Sequence, residues 1–150
     1  MIAMLRDENQ TAINEIIVAC QEIINHYRYA AEILEDDELV SLFKGLADER
    51  EILIERLIEC FTRTGELHDV PDSDKELLLQ LFSRIKTLFA EDSRMVFIEE
   101  RVQAEHDLER MLASALQLTI AADIREALLQ LSQHVEITKE RLPNIADSSC

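Results

Sequence analysis

Tryptophan is absent from this sequence, and glycine and proline number only two each. The chain therefore has few places to turn, and so few glycines exclude a glycine-rich phosphate loop. No G-x-S-x-G nucleophile elbow occurs, and no cysteine stands beside an obvious base. Three cysteines, Cys20, Cys60 and Cys150, are an odd number, widely spaced and without a C-x-x-C. That pattern does not read as a secreted disulfide framework. Cys20 and Cys60 fall on or near apolar stripes and are expected to act as small hydrophobes, while Cys150 ends the polar tail "NIADSSC". No apolar run reaches the length needed to span a bilayer, and "MIAMLRDENQ" has no signal-peptide core. A cytoplasmic, bacterial-type protein is the default expectation. Basic residues are scarce, 15 against 31 acidic ones, for a formal charge of −16. Such a surface repels phosphate backbones and anionic membranes, so neither nucleic acid nor a membrane is expected as a partner. It suits solubility, cations or a basic protein.

What is there is leucine, isoleucine, alanine and glutamate in helical periods, which predicts an all-α protein with one core and one domain over residues 1–150. Helix one is expected from about Asn9 to Glu35, with Ile13, Ile16, Ile17, Cys20, Ile23, Ile24, Tyr27, Ala30, Ala31 and Leu34 on one face. "EDDE" at 35–38 reads as a tight turn, with Asp36 or Asp37 capping helix two. Helix two should run from Glu38 to Thr64 and stop at Gly65. Its seam is Leu39, Phe43, Leu46, Arg50, Leu53, Leu57 and Phe61, and Gly45 within it reads as a site of close backbone approach. Ser73 and Glu76 fit a capping box for a short apolar helix over 76–89, too apolar to lie free, which should cover a bundle end or meet a subunit. Helix four is expected from Asp92 or Ser93 to Leu118. Helix five, capped by Asp123 with Glu126, should run to Leu142 and stop at Pro143, leaving residues 143–150 as a polar tail.

Arg50 falls where the seam of helix two calls for a leucine. Arg101 and Glu105 lie at the centre of the helix-four stripe, and Tyr27 on the core face of helix one. If the helix midpoints meet at one level, Tyr27, Arg50, Arg101 and Glu105 form a buried polar cluster. Glu105 is then the partner that Arg50 requires, because a buried charge without a partner is very costly. Arg101, one turn before Glu105, would bond it within the helix.

A di-iron carboxylate bundle takes Glu-x-x-His pairs from two of its helices, and this sequence has none. Ile52 follows Glu49 where the histidine would stand, and Leu131 precedes His134 where the glutamate would stand. No metal is therefore expected; if iron or manganese binds, Glu49, Glu105 and His134 are the candidates. Glu22 and His26, one turn apart, read as a surface pair, and His68 as a solvated loop residue.

The stretches "YRYAAEILEDDELVSLFKGLADEREILIERLIECF" and "ERVQAEHDLERMLASAL" resemble a family of small bacterial ferritin-like proteins. The resemblance spans roughly residues 8–142, aligned on Ala30-Ala31-Glu32, Arg50 and Glu105. It implies a ferritin-like four-helix bundle with a long crossover carrying the short extra helix, and no agreed activity. It also implies a histidine about where Lys139 stands. Three functional expectations follow. The first is a non-enzymatic bundle with a degenerate metal site, acting through a protein partner or as a homodimer through the apolar helix 76–89. The second is an iron-handling or oxidase protein with an unusual centre. The third is a bundle whose Arg50 and Arg101 hold a small anion.

Overall fold

The computed structural model describes residues 7–71, 75–90 and 94–148. Among these described residues five helices follow one another: α1 Glu8–Ile33, α2 Asp37–Thr62, α3 Lys75–Ala90, α4 Arg94–Ala115 and α5 Ala122–Ser148. The described residues contain no strand, and none of their helices is long and apolar enough to cross a membrane.

Local chemistry sets most helix ends. Asp7 caps α1 by accepting from the Gln10 backbone N–H, while the Gln10 side chain accepts from the Asp7 N–H, a reciprocal box. Asp36 caps α2 through the N–H groups of Glu38 and Leu39, and its second oxygen accepts from Arg94 at 3.2 Å, tying the α1–α2 turn to the start of α4. Gly65, at φ 89°, turns the chain away after α2. The proposed Ser73 box and the start of α4 at residues 92–93 lie outside the described residues, as does Cys150.

Two expected ends differ. Asp123 lies inside the first turn of α5 rather than before it, accepting from Ile124 N. The α4–α5 turn is held instead by Arg125, which donates to the carbonyls of Leu116 and Leu118. And α5 does not stop at Pro143: it runs through the proline to Ser148, so residues 143–148 are helix, not tail. Pro143 is exposed while Leu142 is buried. The ring and the lost N–H bond thus fall on the solvent side, where a helix near its end tolerates them.

Pairs distant in sequence set the directions of the long helices. Asn9 meets Thr119, Tyr27 meets Glu105 and Asp36 meets Arg94, so α1 and α4 are antiparallel. Glu49 meets Arg141, Arg56 meets Gln130 and Arg63 meets Asp123, so α2 and α5 are antiparallel. The turn at 34–36 makes α1 and α2 antiparallel neighbours, and α4 lies beside α5. It follows that α2 and α4 point the same way, and residues 63–93 must travel back along the molecule between them. On that return, Asp69 and Asn14 bond reciprocally, Asp69 N donating to the Asn14 side-chain oxygen and Asn14 donating to the Asp69 carboxylate, and α3 packs across α1 and α4.

The core is the set of faces read from the periodicity. Ile124, Ala127, Leu128, Leu131, Val135, Thr138 and Leu142 are all buried on α5, as are the α1 residues from Ile13 to Ala31 named above. On α2 the seam shifts by one position: Ile54 is buried and Leu53 only partly, since a straight helix drifts off a strict seven-residue repeat. The short helix α3 turns Leu81, Ile85, Leu88 and Phe89 toward the core, with Phe82 edge-on to Tyr29. Much of its apolar surface is thus used within its own chain, and Leu79 is left outward.

Gly45 is not a site of close backbone approach. A Cβ there would meet only the Arg141 guanidinium at 3.9 Å, an ordinary contact. Gly45→Ala should therefore raise stability by about 0.5–1 kcal/mol, through helix propensity and a less flexible unfolded chain. The midpoint of urea unfolding checks this; a lower midpoint would mean the added methyl is not accommodated.

Candidate functional site

At the level where Tyr27, Glu105 and Arg50 meet, all four long helices contribute charge or hydroxyl groups to a largely apolar core, Thr138 of α5 being the fourth. Arg50 and Glu105 are both fully buried. Arg50 Nη2 donates to Glu105 Oε1 at 2.6 Å and Nη1 to Oε2 at 3.3 Å, a forked contact that matches a planar guanidinium to a carboxylate. The Tyr27 hydroxyl donates to Glu105 Oε2 at 2.7 Å, and its ring stacks on Phe43, 5.8 Å between centroids. Arg50 Nη2 also reaches the Thr138 hydroxyl at 3.4 Å.

The remaining nitrogen of Arg50 bonds a residue that the polar cluster read from the sequence did not include. Arg50 Nε donates to His134 Nδ1 at 2.8 Å. An arginine nitrogen only donates, so Nδ1 must accept and the imidazole carries its proton on Nε2. That N–H points to Glu49 Oε1 at 2.9 Å. Glu49 in turn accepts from Arg141 at 2.8 Å. A continuous chain of hydrogen bonds thus runs from buried Tyr27 through Glu105, Arg50 and His134 to the surface pair Glu49–Arg141.

The electrostatics follow from burial and these partners. Burial works against the charge of Arg50, but Glu105 outweighs it and keeps the guanidinium firmly protonated. Burial, then the Glu105 charge, pushes the Tyr27 hydroxyl well above its usual range. Cys20, beside this pair, is pushed up to about 12 by burial and is an inert thiol. His134 is held below the ordinary histidine value by burial and by the Arg50 charge, with Glu49 opposing. Glu49 loses some solvation, but its bonds to His134 and Arg141 bring it below the usual carboxylate range.

Arg101 does not join the cluster. It forms no hydrogen bond to Glu105 and no ion pair among the described residues. Its guanidinium lies 5.7 Å above the Phe97 ring, and its Nε is buried without a partner. The within-helix bond expected from spacing is lost because Arg50 and Tyr27 reach both oxygens of Glu105 from across the core. His26 likewise forms no surface pair with Glu22; its Nδ1 is buried and without a partner. Lys139, where the resemblance implies a histidine, bonds Glu109 at 2.8 Å.

Of the three metal candidates, the structure joins Glu49 to His134 at Nε2, while the Arg50 guanidinium lies between His134 and Glu105. His134 was legible as a metal candidate without its glutamate, not as a partner of Arg50. Its role depends on a residue 84 positions away, and no local signal marks it. No family model, curated protein or solved structure matches the chain.

Proposed function

We propose that this chain is a non-enzymatic helical bundle of ferritin-like type that acts through protein contact. In this reading α1, α2, α4 and α5 are the four bundle helices, and α3 rides on the crossover that their directions require. The observation that carries the proposal is the position of Arg50. Its charge occupies the space between Glu105 and His134, and every nitrogen of its guanidinium is engaged by the chain's own side chains. A dication at that level would face a fixed positive charge at hydrogen-bond distance from two of its would-be ligands. The same centre in a metal-loaded bundle requires carboxylates where this chain supplies a cation.

The contact half of the proposal rests on apolar side chains left in water. Ile52 is 65% exposed and Ile137 50%. Each stands one turn beyond a member of the bonded Glu49–His134 pair, which bridges α2 and α5. Large apolar side chains exposed on neighbouring helices suit a protein partner better than a small molecule. On helix 76–89, Leu81, Ile85, Leu88 and Phe89 face the core and Leu79 is exposed, so less apolar surface is offered there than the sequence suggests.

Elemental analysis of protein purified without chelators, repeated after aerobic incubation with ferrous iron, tests the proposal. Metal at background is the expected result. About two iron or manganese atoms per chain, the stoichiometry of a dinuclear carboxylate bundle, would overturn it in favour of an iron-handling protein.

A further inference from the structure

The two most exposed large apolar side chains among the described residues are Leu67, 77% exposed, and Val70, 74%. Both stand on the stretch that returns from α2, in a chain whose formal charge is −16. Val70 does not stand on a loose loop. Its neighbour Asp69 is fastened to α1 at two points by buried Asn14: the Asp69 N–H donates to the Asn14 side-chain oxygen at 2.8 Å, and the Asn14 amide donates to the Asp69 carboxylate at 3.1 Å. Val70 and Pro71 thus form a pinned ridge. On one side of it lies a cleft of about 310 Å³ between α1 and α2, with Ile24, Ile54 and Ile58 in its walls. On the other side lies a hollow of about 470 Å³ over α1, walled in part by Val18 and Ala19. Concavities of this size take the anchor side chains of a partner.

We propose that this ridge and its two clefts bind a basic segment of another protein, one that sets apolar anchors in the clefts and lysine or arginine side chains around them. Charge selects that occupant. Five acidic side chains line the two clefts, Glu51 and Glu55 in the first and Glu15, Glu22 and Asp69 in the second, against one cation, Arg28. Arg28 is already engaged, bonded to Glu51 and 3.6 Å from Asp48. Glu15, Glu22 and Glu55 are exposed and form no ion pair among the described residues. An acidic rim around apolar walls repels nucleic acid and acidic proteins and attracts a cationic segment. A second copy of this chain, itself at −16, would bring acid against acid. A small organic cation would answer the carboxylates but leave Leu67 and Val70 in water.

The pinned ridge keeps the ordering cost of binding low on this side of the contact. The rim charges are exposed, so they act chiefly on encounter, and association slows as salt rises. Val70 and the apolar walls act on dissociation instead. Neither Ile52 nor Ile137 lines these clefts, so this face is distinct from the one named above. The inference goes beyond the proposed function and does not need it, since metal bound in the core would leave the ridge and its clefts unchanged.

The test is a selection of random displayed peptides on the immobilised full chain, followed by fluorescence-anisotropy titration of the selected peptide in solution. The expected selection is enriched in lysine and arginine beside leucine, isoleucine or an aromatic residue, and its binding saturates at a single site. Val70→Asp should weaken that peptide at least about tenfold, the effect of spoiling an anchor contact. Glu22→Lys with Glu55→Lys should weaken it by a similar factor. Glu136→Lys with Glu140→Lys makes the same change in net charge on α5, a helix that does not touch α1, and should weaken it by less than about twofold. All of these side chains are exposed, so the core is left intact. Equal losses in the two charge-reversed proteins would overturn the proposal, because net charge alone would then account for binding; this comparison decides the case even if Val70→Asp fails to fold. A selection that gives no saturable binder, or none enriched in lysine and arginine, would overturn it too. So would a folded Val70→Asp that binds like the native chain. A dimer in sedimentation that Val70→Asp dissociates would assign the face to a second copy and refute the basic partner.

Discussion

Glu105→Ala is expected to cost about 3–5 kcal/mol of folding stability, the loss typical when one partner of a buried ion pair is removed. Arg50 has no exposed surface, and its nearest counter-charge would be gone. The Tyr27 hydroxyl would also lose its acceptor inside the core. Arg50→Met reverses the roles, leaving the carboxylate buried; it can take up a proton, so the loss should be smaller than for the stranded guanidinium. The double variant Arg50→Met with Glu105→Leu is the decisive control. Replacing both charges by apolar groups of similar volume is often neutral or stabilising, and here the remaining cost is the partners left over: Tyr27, Thr138 and His134. Urea unfolding of these proteins, with Glu105→Leu alone added to close the cycle, should therefore show strong non-additivity, with the double variant more stable than Glu105→Leu alone. Additive losses would mean that the pair is not coupled and that Arg50 finds another counter-charge.

A second large effect is expected from acid. An unfolded histidine takes up a proton near pH 6.5, whereas folded His26 resists until about 4, held down by burial and the charge of Arg101. Above pH 6.5 both states are neutral and the residue has no effect. Between 6.5 and about 4 the unfolded chain binds the proton and the folded chain does not, so stability falls as pH falls. Complete expression of this shift is worth roughly 3 kcal/mol, an upper figure for a side chain still partly reached by solvent. His134 adds to it in the same direction, since its folded value is also lowered, first by burial and then by Arg50. Its geometry states the reason plainly: a proton on Nδ1 would face the Arg50 Nε–H, donor against donor. Denaturation followed from pH 7 to 4 in amine buffers, free of carboxylate and phosphate, should show this decline, and His26→Gln with His134→Gln should flatten it. A native chain with the same stability at both ends of that range would refute the assignment.

The candidate centre is partly legible in the sequence. Arg50 is visible as a charge at a seam position, Glu105 as a carboxylate on a core face and Tyr27 as a hydroxyl on another, each from the helical period of its own segment. The bond between His134 and Arg50 and the exclusion of Arg101 are not legible there, although His134 stands out as a metal candidate and Arg101 lies on the helix of Glu105. Periodicity places a residue on a face but not opposite a partner. Arg101 and Arg50 look equivalent in their stripes, yet Glu105 has only two oxygens, and Tyr27 and Arg50 reach them across the core. Pro143 misleads for a related reason: its cost depends on whether the lost N–H faces core or solvent.

Taken by itself, the sequence determined the helices, the faces they bury and the charged layer within them, because spacings of three and four residues act within one segment and a buried charge demands a counter-charge. Only the tertiary structure decided which carboxylate met which cation, that His134 closed the chain from Tyr27 to the surface, and that Arg101 lay over Phe97 instead of joining the pair. Those outcomes depend on the rotation and height at which helices 55 to 84 residues apart come together, and no local pattern carries that information.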